Sequence, residues 1–267
     1  MSIILDGTNG ISAANVFGRN VIINGDGRIN QRGYTSGTAT SGAGQYTLDR
    51  WKVVTSGQNL TFTGDDSRRV MTAPAGGVEQ VIEDKNIVGG TYVINWEGTA
   101  TATVNGSAVS KGGTFNLPAN THATVRFTDG TFTDVQVEAG SVATPFERRP
   151  YGTELALCQR YFFNFPNLQG LQLQSYTTSL LQTTVYFPVP MRANPTLTTI
   201  STDRIALGGN SNLTTTLTSG TLTFRQNSAG SQQVTIRFTS SASVTAGLSY
   251  IIFPSNVNSG ATFSAEL

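Results

Sequence analysis

The chain has 267 residues, with 17 Lys and Arg against 16 Asp and Glu, a formal charge of +1, and only 12% charged residues. That balance excludes a basic footprint for nucleic acid or for an anionic membrane surface, and no Lys/Arg-rich run supplies one locally. No stretch approaches the roughly 20 apolar residues of a membrane span, and Met1-Ser-Ile-Ile-Leu-Asp6 has no basic start, so a soluble protein without membrane insertion is expected.

The first 19 residues scatter Ile3, Leu5, Ile11 and Phe17 among Asp6-Gly7, Asn9-Gly10 and Gly18. These are too few apolar positions for a core, and the segment reads as an N-terminal arm that orders on another surface. Strands are then predicted at 46–55, 60–63, 78–82, 91–97, 99–104, 121–128 and 131–138, separated by Gly-rich turns. No crossover helix lies between any two of them, so the strands pair antiparallel as a sandwich. In the strand at 131–138, Val135 and Val137 share one face and Asp134, Gln136 and Glu138 the other, as a half-buried strand requires.

Pro145 and Pro150 cannot donate to a ladder and make 143–151 a stiff connector. Thr153 is placed to cap a short helix at 154–162, with Leu155, Cys158 and Phe162 along one side. A second set of strands is predicted at 171–176, 181–187, 196–200, 214–217, 222–225, 234–238, 248–253 and 262–267. The reading is all-β: an arm at 1–19, then two antiparallel β-sandwich domains, 20–147 and 148–267, joined by the Pro-containing connector and the short helix. No internal period or heptad seam is present. Thr-rich strands with few edge charges need covering, and pairing against identical copies is one way to do it, so a homo-oligomer is expected.

Catalytic sets are absent from the pattern. His122 is the only histidine, in an alternating run, and no Gly-x-Ser-x-Gly elbow accompanies it. One His and one Cys cannot furnish a structural zinc site, and Cys158 reads as a small core hydrophobe. Asp65-Asp66 and Glu83-Asp84 read as solvated loop charges, so no carboxylate pair is singled out for glycoside hydrolysis. Gly76-Gly77 and Gly112-Gly113 precede strands instead of helices and are turns, not phosphate loops. No enzymatic activity is expected. Flat sugar faces pack on aromatic rings, which makes Trp51, Trp96 and Tyr34 the glycan-contact candidates. Both Trp residues sit in strand patterns that favour core packing, with Tyr92, Ile94 and Trp96 on one face, whereas Tyr34 lies in the loop Arg32-Gly-Tyr-Thr-Ser-Gly37.

Several stretches together resemble the carbohydrate-binding-module-like domain of bacteriophage tail-fibre and minor virion proteins. They are Asn20-Val-Ile-Ile-Asn-Gly-Asp-Gly-Arg-Ile-Asn-Gln-Arg-Gly33, Tyr46-Thr-Leu-Asp-Arg-Trp51, Trp96-Glu-Gly-Thr-Ala100 and Val135-Gln-Val-Glu-Ala-Gly-Ser-Val-Ala-Thr-Pro-Phe-Glu147. Glu154-Leu-Ala-Leu-Cys-Gln-Arg-Tyr161, Phe187-Pro-Val-Pro-Met-Arg-Ala-Asn-Pro195 and Ser264-Ala-Glu-Leu267 look like the C-terminal module that accompanies it. The resemblance implies a jelly-roll first domain, a virion location after synthesis in the host cytoplasm, and an arm that docks on other virion proteins through Ile3, Leu5, Ile11 and Phe17. It also implies a trimeric fibre that binds host surface polysaccharide or lipopolysaccharide, with a structural fibre or decoration protein as the alternative and a glycan depolymerase as a third. Related sugar-binding jelly rolls hold a structural calcium near an Asn-Gly start. Here Gly27 and Arg28 stand where an acid is expected, which leaves Asp26 and Asp134 as the calcium-ligand candidates and otherwise no cofactor.

Overall fold

The computed structural model describes residues 4–6, 10–12, 18–165, 171–200, 204–207, 210–216, 231–239, 244–253 and 261–267. The chain is all-β apart from one α-helix and a single 3-10 turn among these residues, and it divides into two compact units, Met1–Cys158 with Leu267, and Gln159–Glu266. None of the described helices is long and apolar enough to cross a membrane.

In the first unit the arm region forms a small hairpin of β1 (Ile4–Asp6) and β2 (Gly10–Ser12), in which Leu5 pairs with Ile11; Ile3 and Phe17 lie outside the described residues. The sandwich follows as β3 (Gln45–Tyr46), β4 (Lys52–Val53), β5 (Thr61–Asp65), β6 (Arg68–Ala73), β7 (Val78–Ile82), β8 (Gly90–Glu97), β9 (Thr101–Val104), β10 (Ser107–Val109), β11 (Thr114–Leu117), β12 (Ala123–Thr128) and β13 (Gly130–Ala139). One sheet has the order β10-β9-β12-β7-β4-β3 and the other β11-β8-β13-β6-β5. From β6 onward the chain passes repeatedly between the sheets, a jelly-roll-like path. Alternation dictates the packing: Ala123, Val125 and Phe127 of β12 and Tyr92, Ile94 and Trp96 of β8 point into one core while the residues between them point away.

Helix α1 (Tyr151–Gln159) follows the connector, and it begins and ends earlier than its sequence suggests. Pro150 supplies the first helical acceptor, its carbonyl taking the Glu154 N–H at 3.1 Å, so Thr153 sits inside the first turn and is not the cap. The buried positions are Glu154 and Cys158, one turn apart, and Phe162 belongs to the next strand. The connector and most of α1 cluster with the first unit, and the two compact units meet in sequence at 158/159.

The second unit contains β14 (Phe162–Phe165), β15 (Gln172–Ser175), β16 (Leu180–Met191), β17 (Thr196–Ile200), β18 (Arg204–Leu207), β19 (Asn210–Thr216), β20 (Ser231–Thr239), β21 (Ser249–Phe253) and β22 (Ala261–Ser264). They form a three-stranded sheet, β14-β22-β17, and a six-stranded sheet, β19-β18-β21-β15-β16-β20, all antiparallel. Leu173, Leu181, Val185, Ile236 and Tyr250 of the larger sheet share a core with Ala261 and Phe263 of the smaller one, which makes this unit a sandwich as well. Pro188 and Pro190 remove two donors from the end of β16, and the register with β20 shifts between Tyr186 and Met191. The strand expected at 222–225 lies outside the described residues.

Three local expectations are corrected. The single strand expected at 46–55 is a hairpin, because Thr47 N–H bonds Trp51 O at 2.9 Å and Arg50 turns at φ 70. Strands β10, β11, β14 and β18, of three or four residues each, lie outside the expected set, as does β6, which alternates in burial but opens on Arg68-Arg69 where an apolar pattern is missing. Most consequentially, Gln136 and Glu138 are buried and not solvated.

Candidate functional site

The residues that carry the family resemblance converge on one buried polar network in the first unit. Asn24 adopts the left-handed conformation at φ 59, which Asn tolerates, and every polar group it carries is engaged. Its side chain takes the Ile29 N–H at 2.9 Å and donates to Ile29 O and Asp49 O, both at 2.9 Å. Its carbonyl accepts Trp51 Nε1–H at 2.9 Å, and its own N–H donates to Glu154 Oε1 at 2.5 Å. Asp49 in turn takes Gln31 N–H and Gln31 Nε2–H at 2.6 and 2.7 Å. The opening loop, the 47–51 turn and helix α1 are thereby tied to a single asparagine.

Arg149 anchors the other side. Its Nη1 donates to both carboxylate oxygens of Glu154 at 3.2 Å and to Ile22 O at 3.1 Å, and its Nη2 bonds Asn20 O. Arg28 Nη2 bonds Arg149 O and lies 3.8 Å from Glu154 Oε2. The connector also explains the burial of Gln136 and Glu138: Thr144 N–H donates to Glu138 at 2.7 Å, Glu147 N–H to Gln136 at 2.7 Å, and Asn20 N–H to Glu147 at 2.8 Å. The outer face of β13 is thus covered by residues 18–24 and 144–149, and polar residues there are satisfied by backbone groups instead of water.

The residues singled out for sugar contact are spent on the fold. Trp51 is 0% exposed and packs edge-on against Phe132 and Phe127, with ring centroids 5.2 and 6.0 Å away. Trp96 is buried against Phe127 at 5.3 Å. Tyr34 is half-buried beside Phe62, and its hydroxyl, which accepts the Leu60 N–H, has Thr38 O at 2.7 Å and Leu60 O at 2.9 Å as the acceptors for its one proton. None of the three offers a free ring face with a free polar tip.

The two calcium candidates are likewise occupied by cations of the protein. Asp134, turned to φ 49 at the bulge of β13, receives Arg68 Nε and Nη2 at 2.8 to 3.1 Å. Asp26 is buried with Arg28 Nε 3.4 Å from its Oδ2, and burial raises its carboxyl above the ordinary value against the lowering pull of Arg28. No cluster of three or more metal-ligating side chains occurs among the described residues. Glu83, read from sequence as a solvated loop charge, is buried, while His122 stands just before β12 with its Nδ1 accepting the Asp84 N–H at 2.9 Å.

A polar groove that the sequence did not suggest crosses the outer face of the six-stranded sheet of the first unit. Its floor is a cross-strand row set by register: Thr103 faces Arg126 and Arg126 faces Glu79, while Lys52, outside the hollow, faces Glu79 from the next strand. Arg126 Nε and Nη2 donate to Glu79 Oε2 at 2.9 and 2.6 Å, and Lys52 Nζ lies 3.5 Å from Glu79 Oε1. Asn105, Gly106 and Thr124 complete a hollow of about 290 Å³. Asn105 turns at φ 49 and its Oδ1 accepts the Thr124 N–H, which holds the rim. The groove presents one carboxylate and the guanidinium that holds it, with hydroxyls and an amide around them. A larger cleft of about 690 Å³ has the apolar walls Val21, Ile23, Pro150 and Leu157, but its charged groups, Glu147 and Arg149, are already bonded within the network. No protein-family model matches the chain, and no curated protein matches it.

Proposed function

We propose that the chain is an adhesive protein of a bacteriophage virion, a tail-fibre or related external fibre, that binds host surface polysaccharide or lipopolysaccharide. The observation that supports this most is the Thr103-Arg126-Glu79 row flooring a polar groove on a sandwich face. A carboxylate acceptor fixed beside a fork of guanidinium donors suits neighbouring sugar hydroxyls, each of which both donates and accepts. The work is binding and not hydrolysis, because Glu79 is the one carboxylate lining the groove and glycosidases use two across a cleft. In this reading residues 1–19 dock on other virion proteins, and copies associate as a homotrimer through sheets and loops.

Particles carrying Glu79→Gln with Arg126→Ala are expected to assemble normally and adsorb to host cells at least about tenfold more slowly. Unchanged adsorption would remove the groove from the reading. A structural fibre or decoration role is the second reading, favoured by one observation: the resemblance residues Asn20, Asn24, Asp49 and Glu147 are all buried in the scaffold, and none lines the groove. Particles that lose integrity without the chain yet adsorb normally would select it.

A further inference from the structure

The outer face of the six-stranded sheet in the second unit carries a different chemistry. Register aligns Ser249, Gln174, Gln182 and Arg237 across four adjacent strands. Leu173, Leu181, Ile236 and Tyr250 point to the opposite side, into the core, so this row faces outward. Tyr176, just beyond β15, is 58% exposed, and the Arg237 guanidinium lies 5.4 Å from its ring centroid. Tyr186, 70% exposed, stands opposite Gln233 further along β16, and Thr184 and Thr235 place their hydroxyls 3.5 Å apart between the two tyrosines. From Leu180, whose carbonyl accepts the Tyr176 N–H at 2.8 Å, to Tyr186 is about 20 Å of extended strand.

The charge on this face has no counterpart among the described residues. Strands β15, β16, β20 and β21 contain no Asp or Glu, and Arg237 is their one charged residue. It forms no ion pair among the described residues, and its Nε is buried without a hydrogen-bond partner there. A guanidinium held against an aromatic ring and lacking a carboxylate is complementary to an external anion. The ring that orders it is exposed, and exposed rings flanked by amides and hydroxyls suit the apolar face and the hydroxyl edge of a sugar.

We infer that this face is a second glycan site, selective for carboxylate-bearing sugars: the sugar ring packs on Tyr176, its carboxylate meets Arg237, and the chain runs toward Tyr186. The inference rests on the reading that the protein recognises surface glycans, but it does not depend on the groove of the first unit. The test measures binding of the intact chain to hexagalacturonate, to its carboxyl-reduced counterpart, and to an oligosialate, which distinguishes uronate from sialate as the source of the acid. At least one acidic probe should bind, and Arg237→Gln and Tyr176→Ala should each weaken it by about tenfold or more. Tyr176→Phe should retain it, the reduced oligosaccharide should bind weakly, and Val88→Ser, at a position 77% exposed and outside both faces, should leave the acidic probe unaffected. Thermal unfolding of each variant separates loss of the site from loss of the fold. Equal affinity for acidic and reduced probes, failure of both acids, or indifference to Arg237→Gln in a folded variant would overturn the inference. Glycan binding lost through Glu79→Gln alone would leave the general reading standing without this second site.

Discussion

Arg149→Met is expected to destabilise the first unit by about 3–5 kcal/mol, the usual cost of removing one member of a buried ion pair. Arg149 and Glu154 are both nearly inaccessible, and the guanidinium serves two backbone carbonyls, Ile22 and Asn20, as well as the carboxylate. Removing it strands the Glu154 charge, for which Arg28 at 3.8 Å is a distant substitute, and orphans two buried acceptors. Adding Glu154→Gln should recover part of the loss, because a neutral amide oxygen still accepts the Asn24 N–H while no buried charge is left over. Denaturant unfolding of the single and double variants measures this; two additive effects would contradict the coupling.

Gly25→Ala is expected to cost about 3 kcal/mol, at the upper end of ordinary overpacking. A Cβ at this position would stand 2.3 Å from Val135 O and 3.2 Å from Val135 C, which are backbone atoms in the middle of β13. Val135 N–H donates to Gly25 O at 3.1 Å, so neither segment can withdraw without breaking a buried hydrogen bond. The adjoining bulge, where Asp134 is already held in the left-handed region, leaves little freedom to absorb the shift. A shift in the midpoint of chemical unfolding with an unchanged slope is the expected signature.

Much of the fold was legible because it follows from period-2 alternation. Tyr92, Ile94 and Trp96 share the core face that their spacing implies, and Val135 and Val137 are buried as expected. The same rule misled at Gln136 and Glu138, because alternation says which side of a strand a residue takes and not what later covers that side. Here the covering comes from residues 18–24, distant in sequence, and from 144–149, which fold back just after the strand, and it recruits polar side chains as hydrogen-bond partners. Helix α1 was expected as an element with the wrong limits, since Thr153 resembles a cap while Pro150 takes that place.

The candidate sites were much less legible. Lys52, Glu79, Thr103 and Arg126 lie on four strands and look in sequence like ordinary outward-facing residues; only pairing register sets them in a row. Aromatic chemistry pointed to Trp51 and Trp96, and the hydrophobic gain of burying large rings claimed both for the core. Tyr176 carried no such signal, and its significance comes from Arg237, 61 positions away along the chain yet beside its ring.

The most direct test of adhesion is binding of the purified intact chain to immobilised host lipopolysaccharide and surface polysaccharide. Saturable binding that the Glu79→Gln, Arg126→Ala variant weakens by at least about tenfold, with its melting transition intact, is the expected result. Uniformly blank surfaces, or binding that ignores those substitutions and Arg237→Gln alike, would contradict glycan recognition by these faces.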